Sequence, residues 1–164
     1  MNKNAFHAVG WMLVGMILMG LIVWFTMPSL MLIKHKSSRG YDETISALTE
    51  ALKKKQDWRV LTVNDYQKST AAFGAMEHVG SMNICNPRYA SKILANDTDR
   101  GVTAFMPLAI GVYEDKKGQV YVSQLNVGLL GMMFGGTIAD VMGAAGKDLN
   151  EVVASVATSK TLCR

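Results

Sequence analysis

An uncharged apolar run near the N-terminus constrains this chain more than any other feature of its sequence. No charged residue lies between Lys3 and Lys34, and the segment Ala8–Thr26 is almost entirely apolar. As a helix this segment is roughly 28 Å long, which is close to the thickness of the hydrocarbon core of a bilayer. Tryptophans near both ends suit the headgroup level, and Pro28 is expected to end the helix. The run therefore predicts a single transmembrane helix.

A cleaved signal peptide is the main alternative for this run. Its apolar core is typically about 7–15 residues long and is followed by a small-x-small cleavage site. Here Thr26-Met27-Pro28-Ser29 follows instead, so we predict an uncleaved anchor over residues 1–28 and a domain over residues 29–164. The lysines after the helix favour a cytoplasmic domain, but a domain of this length lies beyond the short loops for which the positive-inside rule holds. We expect the domain on the extracytoplasmic, periplasmic side.

Composition excludes several classes of protein. With 49% hydrophobic and 18% charged residues, the chain is far from the composition of disordered segments. Two cysteines, Cys85 and Cys163, cannot form a disulfide framework, although one bond between them would be allowed in an oxidising compartment. The net charge of +4 comes from scattered residues, with Lys53-Lys54-Lys55 as the longest basic run. We interpret that run as the basic end of a helix and predict no nucleic-acid partner.

The rest of the chain alternates between β-rich and helical patterns. Alternating apolar residues predict strands, and apolar residues three and four apart predict helices. The sequence therefore predicts an α+β domain, a small antiparallel sheet with helices packed on it. The predicted strands are 30–36, 58–63, 78–85, 102–113 and 119–125, and the predicted helices are 41–56, 88–94 and 148–158.

The segment Leu125–Ala139 contains no charge and is too short to span a bilayer. If it is helical, Gly128, Gly131 and Gly135 share one face, so that another backbone can approach closely. The segment is then buried, interfacial or in contact with a partner. It contains neither GxGxxG nor Gly-Lys-Ser/Thr, which argues against phosphate binding. The acidic stretch after Asn96 is not an EF-hand, because the twelfth position from Asp97 is a leucine.

Soft ligand atoms are concentrated in ten residues before Asn86-Pro87. If residues 76–85 are extended, Met76, His78 and Met82 point to one face of the strand and Cys85 points to the other. The spacing matches no closed zinc motif, and free cysteine is often buried, which favours a structural role for Cys85. Met106, beside Pro107, and Met132 and Met133, in the segment Leu125–Ala139, are the other soft side chains that we include. The candidate ligand-binding residues are therefore Met76, His78, Met82, Cys85, Met106, Met132 and Met133.

Several motifs resemble those of a known family. They are Gly40–Thr44, Ile84–Ala90, Met106-Pro107, Val112–Glu114 and Gly118–Val122, and they are similar to the family catalogued as domain of unknown function 302 (DUF302). The resemblance extends over roughly residues 31–156 and implies a compact, dimeric α+β domain of a family without an established activity. Relatives often have a cysteine directly after the proline of the Met-Pro segment, as a partner for Cys85. Leu108 stands there in this chain, which departs from a paired-thiol site.

Three functional hypotheses follow. The leading one is a non-enzymatic, membrane-anchored domain that binds a hydrophobic or soft ligand, such as haem, a metal ion or a small redox molecule. The second is an accessory subunit of a larger membrane complex, or a homodimer, with the anchor and Leu125–Ala139 as contact surfaces. The third is a thiol enzyme in which His78 activates Cys85. No catalytic triad or dyad pattern is present, so we name no catalytic residue.

Overall fold

The computed structural model describes residues 3–161, and the chain divides into two compact units, one up to Leu30 and one from Met31 onward. The first unit is helix α1, Lys3–Met31, whose 22-residue stretch Gly10–Met31 has a mean hydropathy of 2.0. This stretch is long and apolar enough to cross a membrane. Pro28 lies inside α1, so the prediction that it ends the helix is wrong. The hydroxyls of Thr26 and Ser29 donate to backbone carbonyls of the preceding turns, as in other apolar helices that tolerate proline.

The second unit contains an antiparallel sheet of six strands in the order β2-β3-β4-β5-β1-β6. The α+β prediction is confirmed. The strands are β1 (Leu32–Ser37), β2 (Arg59–Asp65), β3 (Val79–Cys85), β4 (Leu108–Glu114), β5 (Val120–Leu125) and β6 (Ala157–Thr161). The remaining helices are α2 (Tyr41–Lys53), α3 (Tyr66–Ser69), α4 (Pro87–Leu94), α5 (Val127–Phe134) and α6 (Gly136–Val156), with 3₁₀ turns at Ala71–Phe73 and Asp97–Phe105.

Alternation along the central strands places one face of the sheet against helices. Met82 and Ile84 of β3, Ile110 of β4 and Val122 of β5 are fully buried on this face. Helices α2, α4 and α6 supply the other half of the core. Their buried residues there include Leu48, Leu52, Ile93, Leu149 and Val153. Cys85, the cysteine among the described residues, is free, so no disulfide there stabilises the domain. Burial of apolar surface is therefore the main driving force for the fold.

Helix α6 is much longer than the predicted helix 148–158. It begins at Gly136, directly after α5, and ends at Val156, so residues 157–158 belong to β6 instead. Gly135 and Gly136 have φ angles of 71° and 52°, and this left-handed backbone separates α5 from α6. The predicted strand 102–113 is also shorter, because residues up to Phe105 form the 3₁₀ turn and β4 begins after Pro107. Proline cannot donate to a sheet ladder, which explains where β4 starts.

Gly128 and Gly131 bring α5 close to α6, as expected from Leu125–Ala139, whereas Gly135 lies beyond the end of α5 and a Cβ there would have nothing within 4 Å. A Cβ placed on Gly131 would be 2.6 Å from the Cβ of Met142, and one on Gly146 would be 2.9 Å from the backbone nitrogen of Gly128. Such contacts are shorter than van der Waals separation, so only glycine fits at these two positions without a shift of the helices. The close approach fixes α5 on α6 and thereby places Val127 and Met142 in one wall of the site described next.

Candidate functional site

An apolar cavity of about 50 Å³ lies where β3 ends and α4 begins. Its walls come from the end of β3, α4, the 3₁₀ turn Asp97–Phe105, the following Met106–Leu108 segment, α5 and α6. Three sulfur-bearing side chains, Cys85, Met106 and Met142, line it together with aliphatic and aromatic residues, among them Ile84, Ala90, Ile93, Val102, Val127 and Ala145. The cavity is partly open, and an apolar space of this kind can stay dry and accept an apolar guest.

The Cys85-Asn86-Pro87 sequence builds the edge of the cavity. Cys85 is the last residue of β3 and is partly buried, and Pro87 occupies the first turn of α4, where its missing N–H is not needed. Asn86 caps the helix, because its side-chain oxygen accepts from the backbone N–H groups of Arg88 at 3.1 Å and Tyr89 at 3.2 Å. The amide nitrogen of the buried Asn86 donates to the carbonyl oxygen of Gln56 at 3.2 Å. The motif therefore turns a strand into a helix within two residues.

A polar cluster around Asp148 of α6 stands next to the cavity. The Oδ2 atom of Asp148 accepts from the indole N–H of Trp58 and from the hydroxyl of Tyr89, both at 3.0 Å. Trp58 and Tyr89 also line the cavity and meet edge to face, with ring centroids 6.1 Å apart. Lys55 lies 3.4 Å from Oδ1 of Asp148 and forms a second ion pair with Glu151. The polar atoms of the two cavity-lining rings are thus occupied by Asp148.

The electrostatics of this cluster favour a charged Asp148. Partial burial acts to raise the pKa of Asp148, but the hydrogen bonds from Trp58 and Tyr89 and the charge of Lys55 outweigh it and hold the pKa below its ordinary value. Burial raises the pKa of the Tyr89 phenol, and the adjacent Asp148 carboxylate raises it further. Tyr89 therefore stays a neutral hydrogen-bond donor, which fits a positioning role for the cluster.

The seven candidate ligand-binding residues do not form one site. Cys85 and Met106 line the cavity, whereas Met82 is fully buried in the core of the sheet. Met76 and His78 are exposed and lie before the first residue of β3, at the opposite end of the strand from Cys85. Six residue spacings of a strand separate these ends by about 20 Å, so the hypothetical Cys85–His78 pair is not formed.

The last two candidates lie elsewhere again. Met132 and Met133, on α5, are 67% and 65% exposed and point away from the cavity that Val127 of the same helix lines. His78 instead stacks on Tyr41, with ring centroids 5.1 Å apart. Among the residues that the structure describes, no three His, Cys, Asp or Glu side chains come together as metal ligands would. Cys163, and with it the disulfide considered for Cys85, lies outside the described residues.

The sequence analysis missed Trp58, Tyr89, Asp148 and Met142 as parts of this site. In the sequence, Trp58 begins a predicted strand, Tyr89 lies in a predicted helix and Asp148 begins another. Asp148 is 90 residues from Trp58 and 59 residues from Tyr89 along the chain. Asp148 directly precedes the buried Leu149, and this position was the available signal, because a partly buried carboxylate requires partners.

The fold and the cavity define a small α+β domain with helices on one face of an antiparallel sheet and a partly open apolar cavity at one end of it. The family model described as "Domain of unknown function DUF302" matches residues 33–156, and the chain belongs to this family. A crystal structure of an uncharacterized conserved protein DUF302 from Bacillus stearothermophilus has the same fold, with a TM-score of 0.68. The two sequences are 22% identical, over 77% of this chain and 98% of that chain. No curated protein matches the chain.

Proposed function

We propose that this chain is a membrane-tethered, non-enzymatic domain that binds a small apolar and polarisable ligand in the cavity beside Cys85. The observation that carries the proposal is the cavity itself, a partly open space of about 50 Å³ lined almost entirely by apolar side chains, with a wall in which Cys85, Met106 and Met142 supply sulfur. Thiol and thioether groups are soft and polarisable, and they suit a ligand of the same character. The apolar stretch Gly10–Met31 supports the tether.

The size of the cavity restricts the ligand. Pockets that hold drug-sized molecules have volumes of roughly 300–1,000 Å³, and this cavity is several times smaller. A haem does not fit, so of the ligands considered from the sequence we retain a small redox-active or apolar molecule of a few heavy atoms. The polar groups at the edge, on Asn86 and Tyr89, are already hydrogen-bonded within the protein and offer the ligand no strong polar contact.

Xenon is a suitable probe for this proposal, because it enters dry apolar cavities and has no polar contacts of its own. We suggest recording methyl spectra of full-length protein in detergent micelles with ¹³C-methyl-labelled methionine, with and without xenon. The methyl signals of Met106 and Met142 should shift, and those of the exposed Met132 and Met133 on the same molecule should not. Equal shifts at all four positions, or none, would contradict a specific cavity site.

A matched pair of variants tests whether the shift comes from the cavity. Ala90→Leu adds three carbons on α4 directly into the lining, whereas Ala144→Leu adds the same atoms on the exposed side of α6. The first variant should abolish the xenon shift of Met106 and Met142, and the second should retain it. Native mass spectrometry of protein taken gently from its own membranes then identifies the natural ligand, as a discrete extra mass that is absent from Ala90→Leu and present in Ala144→Leu.

A further inference from the structure

The C-terminal end of α5 exposes three consecutive large apolar side chains. Met132 and Met133 are about two-thirds exposed, and Phe134 is about half exposed. A helix on the surface of a soluble domain normally presents polar residues to water and buries its apolar side. α5 has no polar side to present, since its eight residues are VGLLGMMF and no charged residue lies between Lys117 and Asp140.

The exposed surface continues beyond α5 in two directions. Phe105, from the 3₁₀ turn, contacts the ring of Phe134 edge to face, with centroids 5.7 Å apart, and is itself exposed. Leu125, at the end of β5, is exposed and lies directly opposite Leu32 of β1, which is also exposed. We call six exposed residues the α5 patch: Leu32, Phe105, Leu125, Met132, Met133 and Phe134.

One backbone hydrogen bond places the start of α5 next to Met31. The backbone N–H of Asn126 donates to the carbonyl oxygen of Met31 at 2.7 Å, and the Asn126 side chain caps α5 by accepting from the N–H of Leu129. Met31 is the residue at which the apolar stretch Gly10–Met31 ends. An eight-residue helix is about 12 Å long and α5 begins one residue after Asn126, so the backbone of α5 lies within about 20 Å of that of Met31.

We infer that the α5 patch rests on the lipid bilayer surface and forms a second membrane contact in addition to the anchor. The inference depends on the tether in the proposed function, because a spanning Gly10–Met31 places Met31 at the membrane boundary. Helices that lie in the membrane interface bury their apolar side about 5–10 Å deep. Because α5 begins next to Met31, it is close enough to a boundary at Met31 to insert to that depth. A tethered domain is always next to lipid, so lipid is the partner that we assign to the α5 patch. Flexible methionine side chains adapt to such a fluid surface.

Site-directed spin labelling of the full-length chain in vesicles of phosphatidylcholine and phosphatidylglycerol tests this inference. In a Cys85→Ala, Cys163→Ser background, a single nitroxide is attached through Met133→Cys, Leu18→Cys or Lys117→Cys. Leu18 lies in the apolar helix and reports the tether, and Lys117 lies in the exposed turn before β5, at the opposite end of that strand from Leu125. Oxygen concentrates in lipid and a nickel chelate stays in water, so their relaxation effects distinguish the two environments.

The expected result is that labels at Met133 and Leu18 lose sensitivity to the nickel chelate and gain sensitivity to oxygen, while the label at Lys117 responds to nickel. Nickel sensitivity at Met133 equal to that at Lys117, with Leu18 in lipid, would overturn the docking and leave the tether intact. Nickel sensitivity at Leu18 would overturn both. Shielding of Met133 from both reagents would show a protein contact, such as a second copy of the chain, and would also overturn lipid docking. Met132→Cys repeats the measurement at a neighbouring exposed position.

Discussion

Gly131 in α5 lies so close to Met142 in α6 that a Cβ at position 131 would be 2.6 Å from the Cβ of Met142. The next nearest atoms, in the backbone of Ala139 and Ile138, would be 3.4 Å away. The position of a Cβ is fixed by its backbone, so the Cβ of Met142 cannot rotate aside and α5 would have to move as a unit to admit a methyl group. The contact therefore couples the position of α5 to the wall of the cavity that Met142 lines.

We expect Gly131→Ala to destabilise the domain by about 1–3 kcal/mol, the usual cost of overpacking a core. Alanine in a helix interior is otherwise better than glycine, so the loss would measure the close approach and not helix propensity. Thermal unfolding of the full-length chain in detergent micelles, followed by near-ultraviolet circular dichroism, measures the change in stability.

Gly143→Ala is the matched control for this substitution. Gly143 lies inside α6, and a Cβ there would have nothing within 4 Å. We expect this variant to be more stable than the parent by about 0.5–1 kcal/mol, because alanine restricts the unfolded chain. Equal effects of the two substitutions would show that the α5–α6 contact does not limit packing.

Asp148→Asn tests the polar cluster beside the cavity through its pH dependence. The folded-state pKa of Asp148 lies below the ordinary value of 3.8, so its charged form stabilises the fold. That contribution is fully present above pH 3.8 and is lost as the pH falls through the lower, folded-state pKa. We therefore expect Asp148→Asn to lower stability by about 1–3 kcal/mol at neutral pH, as for loss of charge-assisted hydrogen bonds, and by progressively less below pH 4.

Asp140→Asn provides the comparison for Asp148→Asn, since it removes the same charge from an exposed position of α6. Unfolding midpoints of both variants and the parent, measured between pH 7 and pH 3, give the result directly. A loss in Asp148→Asn that stays constant over this range would mean that the charge of Asp148 does not contribute to stability.

Asn86 should be the most sensitive polar residue at the edge of the cavity. Asn86→Ala removes the acceptor for two backbone N–H groups of α4 and the donor to Gln56, at a buried position. We expect a loss of about 2 kcal/mol, whereas Asn86→Asp, which keeps the helix cap, should recover part of it. Asn96→Ala removes a similar but exposed cap, at the 3₁₀ turn, and should cost less. A larger loss at Asn96 would contradict this account of the Cys-Asn-Pro motif.

Local patterns were sufficient to predict most strands and the class of the fold. Val120, Val122 and Gln124 alternate with less buried residues, and β5 follows that alternation. Helix α6 was underestimated because Gly143 and Gly146 weaken its local propensity, and the reason for Gly146 is its contact with Gly128 on another helix. Such a contact depends on tertiary packing and leaves only the glycines themselves as a trace in the sequence.

The candidate site was predicted only in part for a similar reason. Cys85 was found because soft side chains cluster near it along the chain, but a strand carries neighbours in sequence away from each other, and His78 is at its other end. The residues that surround Cys85 in space, such as Met142 and Ala145, come from α6. Sequence distance does not encode that proximity, so the cavity could be recognised only once the fold was known.

Cys85→Ala separates a site that depends on cavity shape from one that depends on thiol chemistry. The substitution removes one sulfur atom from the wall and enlarges the void, so we expect a loss of stability of about 1 kcal/mol. Xenon should still shift the methyl signals of Met106 and Met142, because apolar binding here depends on volume and not on the thiol. The natural ligand, measured by native mass spectrometry, should also remain if it is held by shape alone. Loss of that ligand with xenon binding retained would instead show that the Cys85 thiol contacts it directly.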